Sequence, residues 1–449
     1  MNSSNTTVNK INQFFRHSTT LKLGTITIMM LLLIIPTSMI ESIISERQSL
    51  SVTAIDEVSA KWANEQQLNG PILSIPLLYE RATEKQTTTS IKYWHILPNE
   101  LTIGGEVVPN TLRRGVYEVV VYKSNLQVSG NFKLPEAPKG QYLKAVQYDK
   151  AFLTIGTSDL RGIKNNVTVN WGGKRCPVIP GTRVKGLIST GITVTVPMAQ
   201  LTAEKSIKFN FSLDLRGSKS LAFTPLGSTT KVHVSSTWKS PSFKGSFLPD
   251  TREVSKEGFN ASWSVLQLNR NFAQSWIGNE RDMKEQITTS NFGVDLILEM
   301  DDYKKSLRTI KYAIMTIALT FLTFFLVEIL NHRKIHPFQY ALVGLAICLF
   351  YTLLVSISEL LDFNGAYALS AAAIVSMISL YSINIFKSKK LTLLLSGILS
   401  AIYCFLFVTL QLTDYALLLG SLGLTVILAI SMYFTRNVDW YTIGVKREE

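Results

Sequence analysis

The chain has 449 residues, with 45 basic against 32 acidic side chains, a net charge of +13, and 17% charged beside 46% hydrophobic residues. Soluble domains carry roughly 25% charge at similar apolar content, so a mean hydropathy of +0.19 excludes disorder and argues against an all-soluble enzyme. Three cysteines exclude a disulfide-rich secreted module; the composition is that of a membrane protein with a large soluble part.

Residues 1–22 carry Lys10, Arg16 and Lys22 and no acid, and an apolar run follows over 23–44, broken only by Glu41 and Ser42. About 20 apolar residues cross a hydrocarbon core. The flank resembles the start of a signal peptide, but the run is too long for a typical h-region and lacks a small-x-small cleavage site. An uncleaved signal anchor is expected, with Pro36 as a tolerated kink. Leu50, Ile55, Val58 and Trp62 lie near helical spacing, which predicts a stalk helix extending the anchor and stopped by Asn69-Gly70-Pro71.

The segment 45–308 has the pattern of a mainly β domain. Phe209, Phe211, Leu213 and Leu215 alternate with Asn210, Ser212 and Asp214, and similar periods run through 167–171, 192–196 and 231–238. Residues 116–122 are apolar on both faces, as a central strand is. Gly, Pro, Asn and Ser recur about every ten residues, the spacing of a sandwich or barrel. One large twisted sheet and two stacked sandwiches both fit. Trp171-Gly172-Gly173-Lys174-Arg175 superficially suggests a phosphate loop, yet it lacks the reach and the Ser or Thr after Lys that would cradle phosphate and magnesium. A charged β-turn is the better expectation. Cys176 is the one cysteine in this segment, so its stability must come from packing. Residues 41–308 hold 33 basic and 25 acidic side chains, a surplus read first as solvated surface and second as attraction to anionic lipid or polysaccharide.

Five further apolar spans cover about 310–330, 338–360, 365–386, 391–412 and 415–434. Arg333 and Lys334 mark the first connection, Glu359 and Asp362 the second, Lys387, Lys389 and Lys390 the third, and Asp414 the fourth. The tail has Arg436, Lys446 and Arg447. Basic loops alternate with non-basic ones, as the positive-inside rule demands. The expected organisation is a cytoplasmic N-terminus at 1–22 and a transmembrane anchor at 23–44. A periplasmic, mainly β domain with an N-terminal stalk helix follows at 45–308, then a five-helix bundle at 309–435 and a cytoplasmic tail at 436–449. The fold class is an α+β membrane protein with six transmembrane helices and both termini in the cytoplasm.

Chemical motifs are sparse. There is no G-x-S-x-G elbow, Walker A spacing or G-x-G-x-x-G. Glu328, His332 and His336 stand four residues apart and could bind zinc from one helical face. However, Pro337, Arg333 and Lys334 mark the end of a span, where His and Arg complement the helix C-terminus. Glu328 can then snorkel or pair with Arg333; an ion or proton carrier is the sharper alternative. Glu359 and Asp362 could share a proton or a cation, but solvated acids anchoring a loop are preferred. Trp440 and Tyr441 beside Arg436 suit an interfacial anchor.

Long segments match a known pattern. They include Ser158-Asp159-Leu160-Arg161-Gly162-Ile163, Ser236-Thr237-Trp238, Pro241-Ser242-Phe243-Lys244-Gly245-Ser246-Phe247-Leu248-Pro249, Arg252-Glu253-Val254 and Gly258-Phe259-Asn260-Ala261-Ser262-Trp263. Lys311-Tyr312-Ala313-Ile314, Ala318-Leu319-Thr320-Phe321, His336-Pro337-Phe338-Gln339-Tyr340-Ala341-Leu342-Val343-Gly344-Leu345, Phe350-Tyr351 and Ser358-Glu359 follow. Asp414-Tyr415-Ala416-Leu417-Leu418-Leu419-Gly420-Ser421 and Thr435-Arg436-Asn437-Val438-Asp439-Trp440-Tyr441 close the series. In these the chain resembles the CreD family of cell envelope integrity inner membrane proteins, nearly end to end. Ala341, where Leu is expected, and Asn260 are modest departures.

The resemblance implies an inner-membrane location, a role in envelope integrity and a gene controlled by a two-component system responding to carbon source or wall stress. It implies no catalytic, cofactor-binding or metal-binding residues and no cofactor. The expected function is therefore non-enzymatic: the β domain binds an envelope component or periplasmic protein while the bundle sits in the lipid bilayer, with no nucleic acid involved. The alternative is a transporter or channel for a lipid or small solute. Against it, the acids of the spans lie near interfaces and no midplane polar path is evident. A membrane-embedded enzyme is third, for want of a nucleophile, base or ligand constellation.

Overall fold

Proline returns no N–H to the turn before it, and the first apolar segment breaks just ahead of Pro36. The helix Thr19–Leu32 ends at a single turn residue, Leu33, and the helix Ile34–Trp62 resumes at once. Thr37 bridges the break by donating its hydroxyl to the Leu33 and Ile34 carbonyls at 3.1 and 2.8 Å. The computed structural model describes residues 19–83, 86–197, 206–296, 302–331, 335–412 and 415–436. They form an α+β fold of two compact units, residues 1–50 with 300–449 and residues 51–299.

The first unit holds the anchor and the helices Asp302–Lys311, Ala313–Leu330, Pro337–Ser358, Phe363–Phe386, Lys389–Gln411 and Ala416–Thr435. Six helices of the described residues are long and apolar enough to cross a membrane, the first of them running Leu21–Trp62. The boundaries of the five later helices lie within three residues of those read from hydropathy, because a membrane span is signalled by length and composition alone. The first helix runs on past 44 to Trp62 as the expected stalk. Leu33, Ile40 and Ile44 of the anchor join Phe321, Phe324, Ile347, Phe350 and Leu399 in one core.

The second unit contains two sheets. The eight-stranded sheet runs Thr251–Ser255, Gly258–Leu266, Thr229–Ser236, Glu100–Arg114, Tyr117–Lys133, Ser206–Ser218, Val169–Trp171 and Lys174–Cys176. Tyr117–Lys133 lies centrally, as its two apolar faces predict. Phe209, Phe211, Leu213 and Leu215 are buried between exposed or half-buried polar neighbours. The ten-stranded sheet is built around Gln66–Thr83, which pairs with Ser220–Phe223, Phe152–Gly156, Gln86–Ile96 and Leu143–Val146. Both sheets bury their inner faces in a common apolar core, so the domain is a pair of packed sheets rather than one large one. Gly172 and Gly173, both at positive φ, form the two-residue hairpin between Val169–Trp171 and Lys174–Cys176. That is the charged β-turn expected there, and Cys176 is buried and free.

Two expectations need correction. Asn69-Gly70-Pro71 does not stop the stalk helix, which ends at Trp62; these residues lie inside the strand Gln66–Thr83. There the strand changes partner, from parallel pairing at 66–68 to antiparallel pairing, with a register break between Asn69 and Ile72. A proline, which cannot donate to a ladder, is tolerated at such a break. The domain also contains a helix, Glu280–Thr289, that anchors Met283 and Ile287 in the core.

Candidate functional site

Glu328 is 5% exposed. Its carboxylate accepts from the Ile335 N–H at 2.9 Å and the Tyr340 hydroxyl at 3.0 Å, and it forms an ion pair with Lys22. The expected partner Arg333 lies outside the described residues, as does His332. Burial requires the carboxylate to be paired and hydrogen-bonded at once, and Lys22 of the N-terminal helix supplies the charge; Glu328 does not snorkel. His336 instead caps Pro337–Ser358: its Nδ1 accepts from the Phe338 N–H at 3.2 Å while its own N–H donates to Gln339 at 2.9 Å. Of the three residues read as a possible ligand set, Glu328 and His336 thus have other partners, and His332 lies outside the described residues.

Glu359 and Asp362 separate into different tasks. Glu359, its side chain 19% exposed, accepts from the Tyr303 hydroxyl at 3.2 Å and lies 3.8 Å from Arg47. Asp362 is exposed and caps Phe363–Phe386 by accepting from the Gly365 N–H at 3.2 Å. The solvated-acid expectation holds for Asp362 and not for Glu359. Trp440 and Tyr441 lie outside the described residues.

In the β domain the Ser158–Ile163 motif forms a clasp. The Asp159 carboxylate accepts from the N–H of Asn64 at 3.1 Å, from the N–H of Arg161 at 3.0 Å and from Arg161 Nε at 2.9 Å. Arg161 also reaches the Ala60 carbonyl in the last turn of the long helix. The Arg161 guanidinium and the backbone donors hold the Asp159 carboxyl down at about 2, against the upward push of burial. Gly162 is required by closeness: a Cβ there would lie 2.4 Å from the Arg216 carbonyl. The later motif is aromatic packing. Phe243 meets Phe259 and Trp263 edge-on at 5.7 and 5.8 Å, and Phe247 meets Phe292 at 6.0 Å.

One constellation escaped sequence reasoning. Ser74 Oγ lies 2.9 Å from His95 Nδ1, and His95 Nε2 lies 3.6 Å from Glu280. Hydroxyl, imidazole and carboxylate are thus in line, as in a hydrolase. But Ser74 and His95 are wholly buried, with Ser74 paired inside the central strand, where no substrate reaches the oxygen. Burial pushes the His95 imidazole down to about 4 despite the nearby Glu280 carboxylate. The neutral ring is wedged beside Trp276, centroids 5.2 Å apart. It is a packed core group that ties the helix Glu280–Thr289 to the sheet. No short motif encodes partners 185 residues apart.

The outer face of the eight-stranded sheet offers the accessible candidate. An open groove of 330 Å³ is lined by Glu106, Val108, Lys123, Asn125, Lys164, Asp214 and Arg216, among others. Strand register puts Lys123 directly opposite Arg216. Like charges so placed repel. Arg216 is fixed with its guanidinium 4.6 Å over the Trp62 ring, and its Nε is buried with no acceptor among the described residues. Glu106 and Asp214 flank Asn125 in the adjacent row, and Asp214 is hydrogen-bonded by Asn125 and Asn165. The groove can receive an anionic group beside hydroxyl or amide partners. The sequence signal, Lys123, Lys164 and Arg216 on separate segments, was diluted in the overall basic surplus.

The family model for the inner membrane protein CreD matches residues 18–441. The inner membrane protein CreD of Escherichia coli (strain K12) is 32% identical over 426 residues, covering 93% of this chain and 92% of that protein. Among solved structures, a mutant M1 zinc metallopeptidase from Deinococcus radiodurans, bound to a Tyr-Ser-Ala substrate, matches 38% of this chain and 39% of its own. The identity is 10% and the TM-score 0.17, a likeness too slight to carry any argument.

Proposed function

Because the chain belongs to the CreD family of inner membrane proteins, we propose that it supports cell envelope integrity without catalysing a reaction, its β domain binding an anionic envelope component. The six spans anchor it, with residues 1–22 and 436–449 in the cytoplasm and 45–308 in the periplasm. Alternating basic loops support this orientation. The observation that carries the binding reading is the groove, where Lys123 and Arg216 face each other across the ladder with Lys164 also in the lining, while Glu106 and Asp214 sit opposite Asn125 in the next row on that face. An anion seated there relieves that repulsion.

The test reverses two exposed charges, Lys123→Glu with Lys164→Glu, and asks whether the variant restores detergent resistance to a deletion strain at normal protein abundance. Loss of rescue is expected; full rescue refutes the groove as the functional surface. A second reading, a transporter or channel for a lipid or small solute, draws on one observation: the hydroxyls of Tyr351, Tyr403 and Ser370 are buried inside the bundle.

A further inference from the structure

Hydrocarbon surrounds a membrane bundle, so a polar group buried inside it has only protein neighbours and trapped water to bond. The helices Ala313–Leu330, Pro337–Ser358, Phe363–Phe386 and Lys389–Gln411 bring several such groups together. Phe350 lies at the centre, its ring centroid 4.9 Å from that of Tyr351, 5.3 Å from Tyr367 and 4.8 Å from Tyr403. None of these four rings is more than 3% exposed. The Tyr367 hydroxyl donates to the Tyr403 carbonyl at 2.8 Å, pinning two helices together. Ser370, wholly buried, lies one turn from Tyr367 on the same helical face.

The remaining hydroxyls are incompletely served by the protein. Tyr351 Oη, Tyr403 Oη and Ser370 Oγ are sealed from solvent and have no hydrogen-bond partner among the described residues. Thr316 donates its own proton to the Tyr312 carbonyl at 3.1 Å and its oxygen can still accept from the Tyr351 hydroxyl beside it, so what Tyr351 lacks is a donor to its own oxygen. Two hydroxyls without a partner and a third whose oxygen has no donor are thus buried on three of these helices. Groups of this kind are satisfied in native proteins by ordered water making two to four bonds.

We infer that the bundle encloses a hydrated site among these four helices, in which bound water bridges Tyr351, Tyr403 and Ser370. The side chains argued to meet there, Phe350, Tyr351, Tyr367, Ser370 and Tyr403, include no carboxylate, ammonium, guanidinium or imidazole group, so the site takes neutral hydrogen-bonding molecules rather than an ion. It stands apart from the groove of the β domain, and neither reading depends on the other.

Radiolytic hydroxyl labelling of the full chain in lipid nanodiscs reads this directly, since a bound water yields its radical beside the residue that holds it. Tyr351 and Tyr403 are expected to be oxidised although buried. Tyr122 is the internal control, equally buried but with its hydroxyl donated to the Ser220 carbonyl at 2.7 Å. Labelling of Tyr351 and Tyr403 no faster than that of Tyr122 overturns the inference. Tyr403→Phe and Ser370→Ala give a second arm. From a hydrated site they remove a bonded hydroxyl, lowering the melting temperature and slowing the labelling of Tyr351. From a dry site they remove an unpaired polar group, and a raised melting temperature in either variant overturns the proposal.

Discussion

Replacing Asp159 by Asn keeps the shape of the clasp and removes its charge. In the folded domain that carboxylate is 8% exposed and receives two backbone N–H groups and the Arg161 guanidinium. These donors stabilise the ionised form, drawing the carboxyl from its ordinary 3.8 down to about 2. One unit corresponds to about 1.36 kcal/mol, so the charged clasp stabilises the folded domain by about 2 kcal/mol. Arg161 is 56% exposed, and solvent screening of its share makes this an upper value. The folded value lies below the unfolded one, so the increment is fully present above 3.8 and is lost as pH falls through about 2. Urea unfolding of a 45–308 fragment, followed by tryptophan fluorescence, measures it. Asp159→Asn is expected to lower stability at neutral pH by about 2 kcal/mol, with the gap to wild type closing as pH falls toward 2. A gap that stays constant to the acid limit, or no gap at neutral pH, refutes the charge argument.

The 45–308 fragment is expected to be soluble and β-dominated by far-UV circular dichroism without oxidant, because it buries its own core; aggregation under all conditions counts against its independence. Trp263→Ala should cost about 3–5 kcal/mol in the same urea assay, whereas Trp238→Ala and Phe247→Ala should cost about half as much because those rings are only half-buried. Equal losses would contradict the burial pattern. Glu328→Gln strands Lys22 and should lower the melting temperature of the detergent-purified chain, by about 3 kcal/mol of stability at most. The pair Glu328→Gln with Lys22→Met should recover part of it, and an unchanged melting temperature in the single variant refutes the ion pair. Reporter fusions after Lys334, Lys390 and Lys446 should report cytoplasm, and those at Asn69, Gly173 and Asn364 periplasm; a cytoplasmic signal at Gly173 overturns the orientation.

What was legible in the residues is what repeats locally. The alternation of Phe209, Phe211, Leu213 and Leu215 marks a strand because one face must be buried, and the spans announce themselves by apolar length. Gly70-Pro71 misled because punctuation rules are local, whereas that strand gains its pairing from residues more than eighty positions away: Gln66 with Leu221, and Asn69 with Gly156. The same limit hid Ser74–His95–Glu280 and the groove. The interior hydroxyls were hidden for another reason. Tyrosine, threonine and serine are compatible with a span in any hydropathy count, so only packing reveals that Tyr351, Tyr403 and Ser370 are buried inside the bundle rather than turned to lipid.

Packing also bears on whether the first apolar segment is a removable leader. Lys22 neutralises Glu328 across 306 residues of sequence, and Leu33, Ile40 and Ile44 belong to the bundle's own core. Gly344 packs closely against this helix, since a Cβ there would lie 2.2 Å from the Leu33 side chain and displace it. Removing the segment would uncover that apolar seam and leave Glu328 buried with the Tyr340 hydroxyl and the Ile335 N–H but no cation. An uncompensated buried carboxylate is among the most costly defects a fold can carry. A leader meant for cleavage has no need of such partners, and on these contacts we propose that the anchor is retained as one of the bundle's helices.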